Sequence, residues 1–334
     1  MFELLGLSLL LAALLTFNSL ASLLADCAWR MSRKLVRGWS AVTRARLIFL
    51  LRTSPAFLSL VCVLFLFVPS YLAYEPRHTG EDVSPKLALL ALVSGIGLIL
   101  ALARAVFAWQ LTARLAADWL QQAKPITIAG LDIPTYQIKH AFPVIAIVGV
   151  LRPRLFIATQ VLELLTPEEI SAALSHESGH LAARDNLKRG VLRACRDFLL
   201  IVPCGRELDR DWAHASEEAA DERAAGEGRG VALDLASALV KIARIIPEGA
   251  RPAMPAGVFL FGDDDGRGIK GRVRHLLNLA AAEINPGMRN SLAMRAMFVL
   301  LSVSLILVVL FVSTSYPILA TVHTLIEHAV AALG

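Results

Sequence analysis

Residues 166–184 read TPEEISAALSHESGHLAAR. Thr166 is suited to cap a helix, Pro167 to its first turn, and Glu169, three residues after the cap, to close a capping box. No further proline interrupts the stretch, so the spacing predicts one helix from about Pro167 to Arg184. On that helix His176 and His180 stand four residues apart and project from one face, close enough for both imidazoles to hold one metal ion. Glu177 lies beside them. A carboxylate there can take a proton from an attacking water and deliver it to a leaving amine, which is the chemistry of peptide hydrolysis. The competing reading is a pair of surface or structural histidines, and the independently capped helix weighs against it.

A catalytic zinc needs a third protein ligand and an open position. The best supply is Ser216-Glu217-Glu218-Ala219-Ala220-Asp221, within a helix expected from about Trp212 to Ala225. Glu217 and Asp221 share a face, so Glu217 could reach the ion while Asp221 orients a ligand histidine. Glu218 points about 100° away. Spacing alone does not separate this reading from a solvated acidic helix face. His214, three residues before Glu217, is a possible transition-state donor, against the commoner surface histidine. His78, His140, His275, His323 and His328 have no partner at ligand spacing, and the structural reading is preferred for each.

The chain around this segment belongs to a bilayer. Its 334 residues are 56% hydrophobic and only 18% charged, well to the apolar side of a soluble domain. Apolar runs long enough to cross the hydrocarbon, roughly 20 helical residues each, occur at about residues 4–25, 53–74, 87–109 and 296–322, uncharged except for Arg104, whose long side chain can snorkel to the interface. Pro317 should kink or end the last. The first run lacks a preceding basic segment and a small-residue cleavage site, so it reads as retained rather than as a signal peptide. Arg30, Arg33, Lys34, Arg37, Arg44, Arg46 and Arg52 lie between the first two runs against the single acid Asp26. The next connection carries only Arg77 and Lys86 with three acids. The positive-inside rule therefore places loop 26–52 and the segment between the third and fourth spans in the cytoplasm, with both termini outside.

The net charge of +5 is largely accounted for by the loop facing anionic headgroups, and no nucleic-acid partner is assigned. Cys27, Cys62, Cys195 and Cys204 show no CxxC pairing and read as free thiols.

Three units follow: residues 1–109 with three spans and a basic loop, a cytoplasmic domain at 110–290, and residues 291–334 with a fourth span and a short tail. Within the domain, Ile126 to Ala129, Val144 to Val150 and Leu155 to Ala158 are apolar runs that read as strands of a small sheet. Gly149 and Arg152-Pro153-Arg154 suggest that the last two form a hairpin whose edge could take an extended peptide. Leu187 to Val202 reads as an amphipathic helix lying against the membrane surface.

The stretch from Leu151-Arg152-Pro153-Arg154 through Leu164, Thr166 to Ala173 and His176 to Asn186, then Glu217 to Asp221, resembles the gluzincin membrane peptidases. It is more similar to the antirepressor peptidases of the β-lactam sensor-transducer type than to the quality-control proteases similar to the CAAX prenyl endopeptidase, because no span separates its two motifs. The resemblance implies Zn2+ held by His176, His180 and Glu217, Glu177 as general base, Asp221 as the motif aspartate, and Arg272-Val273 as a family feature. One departure from that type, which carries a penicillin-binding sensor domain, is expected: about fifteen residues follow the fourth span here, with no SxxK serine site, so direct β-lactam sensing is not expected of this chain.

The expected fold class is thus a mainly α membrane protein, four transmembrane helices with a cytoplasmic α+β zincin-like metallopeptidase domain in the inner membrane. The expected function is a zinc endopeptidase cutting cytoplasmic or membrane-proximal proteins in a regulatory role, with a protein or peptide substrate, the lipid bilayer and a separate sensor or repressor protein as partners. The alternatives are a quality-control protease and a non-catalytic receptor or scaffold with a zinc site.

Overall fold

The computed structural model describes residues 2–76, 83–128, 133–199, 204–246, 267–281, 304 and 308–333. Three long apolar helices dominate its first third: α1 (Phe2–Ser32), a second span formed by α2 (Ala41–Cys62), a π-helical turn Val63–Phe67 and α3 (Val68–Tyr74), and α4 (Pro85–Gln121). Each is long and apolar enough to cross a membrane. The expected fourth span begins outside the described residues. Its described part is α11 (Val308–Thr314) followed by α12 (Tyr316–Leu333), bent by 75° between them, where Pro317 cannot continue the ladder of the preceding turn.

The helices overrun the spans read from hydropathy. The expected loop 26–52 is mostly helical, since α1 continues to Ser32 and α2 begins at Ala41 behind a Ser40 cap. Hydropathy stops where charge begins, but a helix can run on into water or onto another domain. The third helix likewise continues past residue 109 to Gln121, where Trp119 packs edge-on against Phe156 of the sheet at 5.1 Å.

The sheet has four strands, β1 (Lys124–Ile126), β2 (Thr135–Ile138), β3 (Ile145–Val148) and β4 (Arg154–Ala158), in the order β1-β2-β4-β3. β3 and β4 form the antiparallel hairpin, turning at Gly149 with φ +104°, where a side chain would also meet the Arg152 carbonyl. β2 was not legible in the sequence because Thr-Tyr-Gln-Ile lacks an apolar run; it pairs parallel with β4. β3 lies at the sheet edge.

Six helices follow or cover the sheet: α5 (Thr159–Leu164), α6 (Pro167–Ala183), α7 (Asp185–Phe198), α8 (Arg206–Ala225), α9 (Arg229–Ile245) and α10 (Arg267–Ala281). The main core joins β3 and β4 to α6, α9 and α10 through residues such as Phe156, Ile157, Ala173, Leu239 and Leu276. A second core, including Trp29, Ile48, Leu192, Leu208 and Trp212, fuses α1 and α2 to α7 and α8.

That fusion changes the reading of the basic segment. Arg30 pairs with Glu207 at 3.3 Å, the buried Arg52 with Asp209 at 3.0 Å, and Arg44 with Glu218. Trp29 Nε1 donates to Asp211 at 2.7 Å, and the Ala41 amide donates to Glu222. These cations meet the acidic face of α8 rather than lipid headgroups, while Arg33, Lys34, Arg37 and Arg46 stay exposed. Helix α7 packs on α4 and α2, with Arg104 reaching Asp197 at 3.1 Å. All four cysteines are unpaired.

Candidate metal centre

α6 starts where the sequence places it. Thr166 Oγ1 accepts from the Glu169 amide at 3.3 Å while Glu169 Oε2 accepts from the Thr166 amide at 2.9 Å. The same carboxylate binds Ser237 and Lys241 of α9, so the cap also ties α6 to its neighbour. Gly179 faces α8: a Cβ there would lie 3.1 Å from Ala220 Cα and 3.2 Å from Ala220 Cβ. The two helices therefore touch at the turn that carries Glu217 and Asp221.

His176, His180 and Glu217 come together as a group able to hold a metal ion. His176 Nε2 is 3.2 Å from His180 Nε2. Glu217 Oε2 is 3.6 Å from His176 Nε2, and Glu217 Oε1 is 3.6 Å from His180 Nε2. Zinc bonds of about 2.0–2.2 Å in a tetrahedral site separate neighbouring ligand atoms by about 3.3–3.6 Å, so the triangle has the right size. The far nitrogens are fixed by carboxylates: His176 Nδ1 lies 2.9 Å from Asp221 Oδ1, and His180 Nδ1 lies 2.9 Å from Asp185 Oδ2. A proton held on each Nδ1 turns both Nε2 lone pairs toward Glu217.

Asp185 is the residue that the sequence reading missed. It also accepts from Ser216 at 2.8 Å, linking the end of α6 to α8. It reaches back because Arg184 adopts a left-handed conformation, φ 54°, which breaks the helix between His180 and Asp185. Arginine carries no preference for that conformation, so the sequence held no signal for it.

Glu177 is buried on the same helix, and its Oε1 has no hydrogen-bond partner among the described residues. Burial pushes its carboxyl up from the usual range, against the pull of His180 and His176. For His180, burial opposes charging, but Glu217 and Asp185 outweigh it and raise the ring to about 10. His176 is also raised, Asp221 and Glu217 overcoming burial and Arg272. Glu217 is held well below the carboxylate range despite burial, chiefly by His180. Two arginines share that negative charge: Arg189 Nη2 lies 3.1 Å from Glu217 Oε1 and Arg272 Nη1 lies 3.1 Å from Glu217 Oε2. Arg272 of α10 also grips Asp221 with two nitrogens, at 2.9 and 2.7 Å.

Glu177 and His180 open onto a cleft of about 360 Å³ lined also by Ala146, Ile147, Leu151, Leu181, Arg184 and Asn186. Its wall is the sheet edge. Because the Ala158 amide donates to Val144 O, alternation turns the backbone groups of Ile145 and Ile147 away from β4 and toward that edge. Asn186 Nδ2 donates to Ile147 O at 3.0 Å. His214 is exposed on α8.

Residues 113–234 match Peptidase family M48. The match runs from the last turns of α4 through the sheet and both site helices into α9, and it supports a metallopeptidase. No curated protein matches the chain.

Proposed function

We propose that the protein is a membrane-embedded zinc endopeptidase with His176, His180 and Glu217 as the metal ligands. The triangle of ligand atoms carries this reading, with edges of 3.2 and 3.6 Å beside the buried carboxylate of Glu177 in a cleft. A zinc ion held there would act as a Lewis acid on a scissile carbonyl and on water. Glu177 Oε1 takes the proton of the attacking water and returns it to the leaving amine; its raised pKa suits both halves of that transfer. Asp221 and Asp185 hold the two imidazoles in register. An extended substrate would add to the open edge of β3, with its side chains over Leu151 and Leu181.

The reading extends to a regulatory role of the antirepressor type, acting on a cytoplasmic or membrane-proximal protein, with the peptidase domain in the cytoplasm and both termini outside. Two features support it. The helix between α6 and α8, α7, is amphipathic and not a span, so both motifs sit on one face of the membrane. The ligand-bearing α8 is gripped by the first two membrane helices, a route by which a separate membrane sensor could act on the site.

The test compares the detergent-purified protein with its Glu177→Gln variant for zinc content and for cleavage of itself or of a loosely folded protein. Bound zinc in both with proteolysis only in the parent is expected. Zinc absent from both, or cleavage surviving in the variant, would overturn the assignment and favour a non-catalytic receptor.

A further inference from the structure

The continuous helix Ala41–Tyr74 spans 34 residues, about 50 Å at the helical rise. Its first end holds α8, and its far end reaches Glu75 beside α12. There Glu75, His323 and Glu327 form a second group whose ligand atoms all lie within 4.8 Å of one another. It meets the same geometric condition as the triangle at the peptidase centre.

His323 and Glu327 are four apart, so one face of α12 supplies two donors, with His323 Nε2 3.8 Å from Glu327 Oε1. Glu75 supplies the third from the end of α3 and is buried. The histidine ring is held in place: Tyr74 stacks on it with centroids 5.7 Å apart and planes 25° apart. The helix that carries it is docked by Ser70 Oγ donating to Leu319 O at 2.8 Å and Tyr74 OH donating to Tyr316 O at 3.0 Å. His323 Nδ1 is buried with no hydrogen-bond partner among the described residues. An imidazole and two carboxylates gathered within ligand reach of one another form a donor set that an ion can complete. Glu327 is about half exposed, which leaves a path for entry.

We propose that Glu75, His323 and Glu327 bind a divalent transition-metal ion of the zinc type, far from the peptidase centre. One imidazole with two carboxylates is a borderline donor set that suits zinc better than calcium, which takes six to eight oxygens. The ion pins α12 to the end of α3 and so fixes the bent last span against the second.

The experiment uses the full chain in detergent and zinc alone as the probe. His176→Ala/His180→Ala removes the peptidase centre; this variant is expected to keep about one zinc per chain, with a melting temperature that rises on zinc addition. Adding Glu327→Gln, which preserves shape at a half-exposed position, should weaken the remaining binding by about tenfold or more and abolish the thermal shift. Adding His323→Ala should remove the ion. Failure of the His176→Ala/His180→Ala protein to bind zinc while still melting cooperatively would overturn the proposal. Binding unchanged by Glu327→Gln and His323→Ala would overturn it equally. Neither outcome bears on the peptidase centre, which the Glu177→Gln comparison tests by itself.

Discussion

Asp185→Asn isolates what the break after α6 contributes to the metal centre. Asp185 Oδ2 takes a hydrogen bond from His180 Nδ1 at 2.9 Å and one from Ser216 Oγ at 2.8 Å, and Lys188 lies 3.3 Å from its other oxygen. Asparagine keeps the size and one acceptor but loses the charge, so the bond to His180 falls from the charged class, about 1.5–3 kcal/mol, to the neutral class, about 0.5–1.5 kcal/mol. The loss of about 1–2 kcal/mol corresponds to roughly 5–30-fold in zinc affinity, in line with the 10–100-fold typical of residues that orient a metal ligand. Competition against a fluorescent zinc chelator reads this directly, with the melting temperature showing that the fold survives. Zinc affinity equal to the parent's would refute the claim that Asp185 orients His180.

Gly179→Val should separate α6 from α8, because even a single Cβ meets Ala220 at 3.1 Å. The expected result is loss of stoichiometric zinc with helical content retained by circular dichroism. Arg52→Ala leaves the partly buried Asp209 without this partner and should cost about 1–3 kcal/mol, read as a lower denaturation midpoint in detergent. His180 is raised from 6.5 to about 10, so before metal binds its charge stabilises the fold fully below pH 6.5, and that contribution fades as pH rises through about 10. A cation must displace that proton, so apparent zinc affinity should climb with pH across the same window; a flat profile by chelator competition would show that His180 is not a ligand. Asp221, depressed from 3.8 to about 2, contributes stability above pH 3.8 that is lost as pH falls through about 2, visible as steep acid unfolding in the parent and a shallower loss in Asp221→Asn.

The sequence by itself determined the elements whose signals are local. The capped helix at Pro167, the histidines four apart on it and the carboxylate pair on α8 follow from short spacings that a helix converts into shared faces. The apolar runs followed from bilayer thickness, and the Ile- and Val-rich runs announced β3 and β4. The tertiary structure decided everything that depends on two segments meeting. Asp185 reaches His180 only because Arg184 turns left-handed, and Gly179 matters only because Ala220 lies against it. Glu327 joins His323 and Glu75 only because α12 folds back onto α3. Arg30, Arg44 and Arg52 looked like a loop for lipid headgroups and instead hold α8. Charge and hydropathy report how a residue ranks between water and oil, whereas its partner is set by how chain segments pack, and for Arg30, Arg44 and Arg52 that partner lies more than a hundred residues away in the sequence.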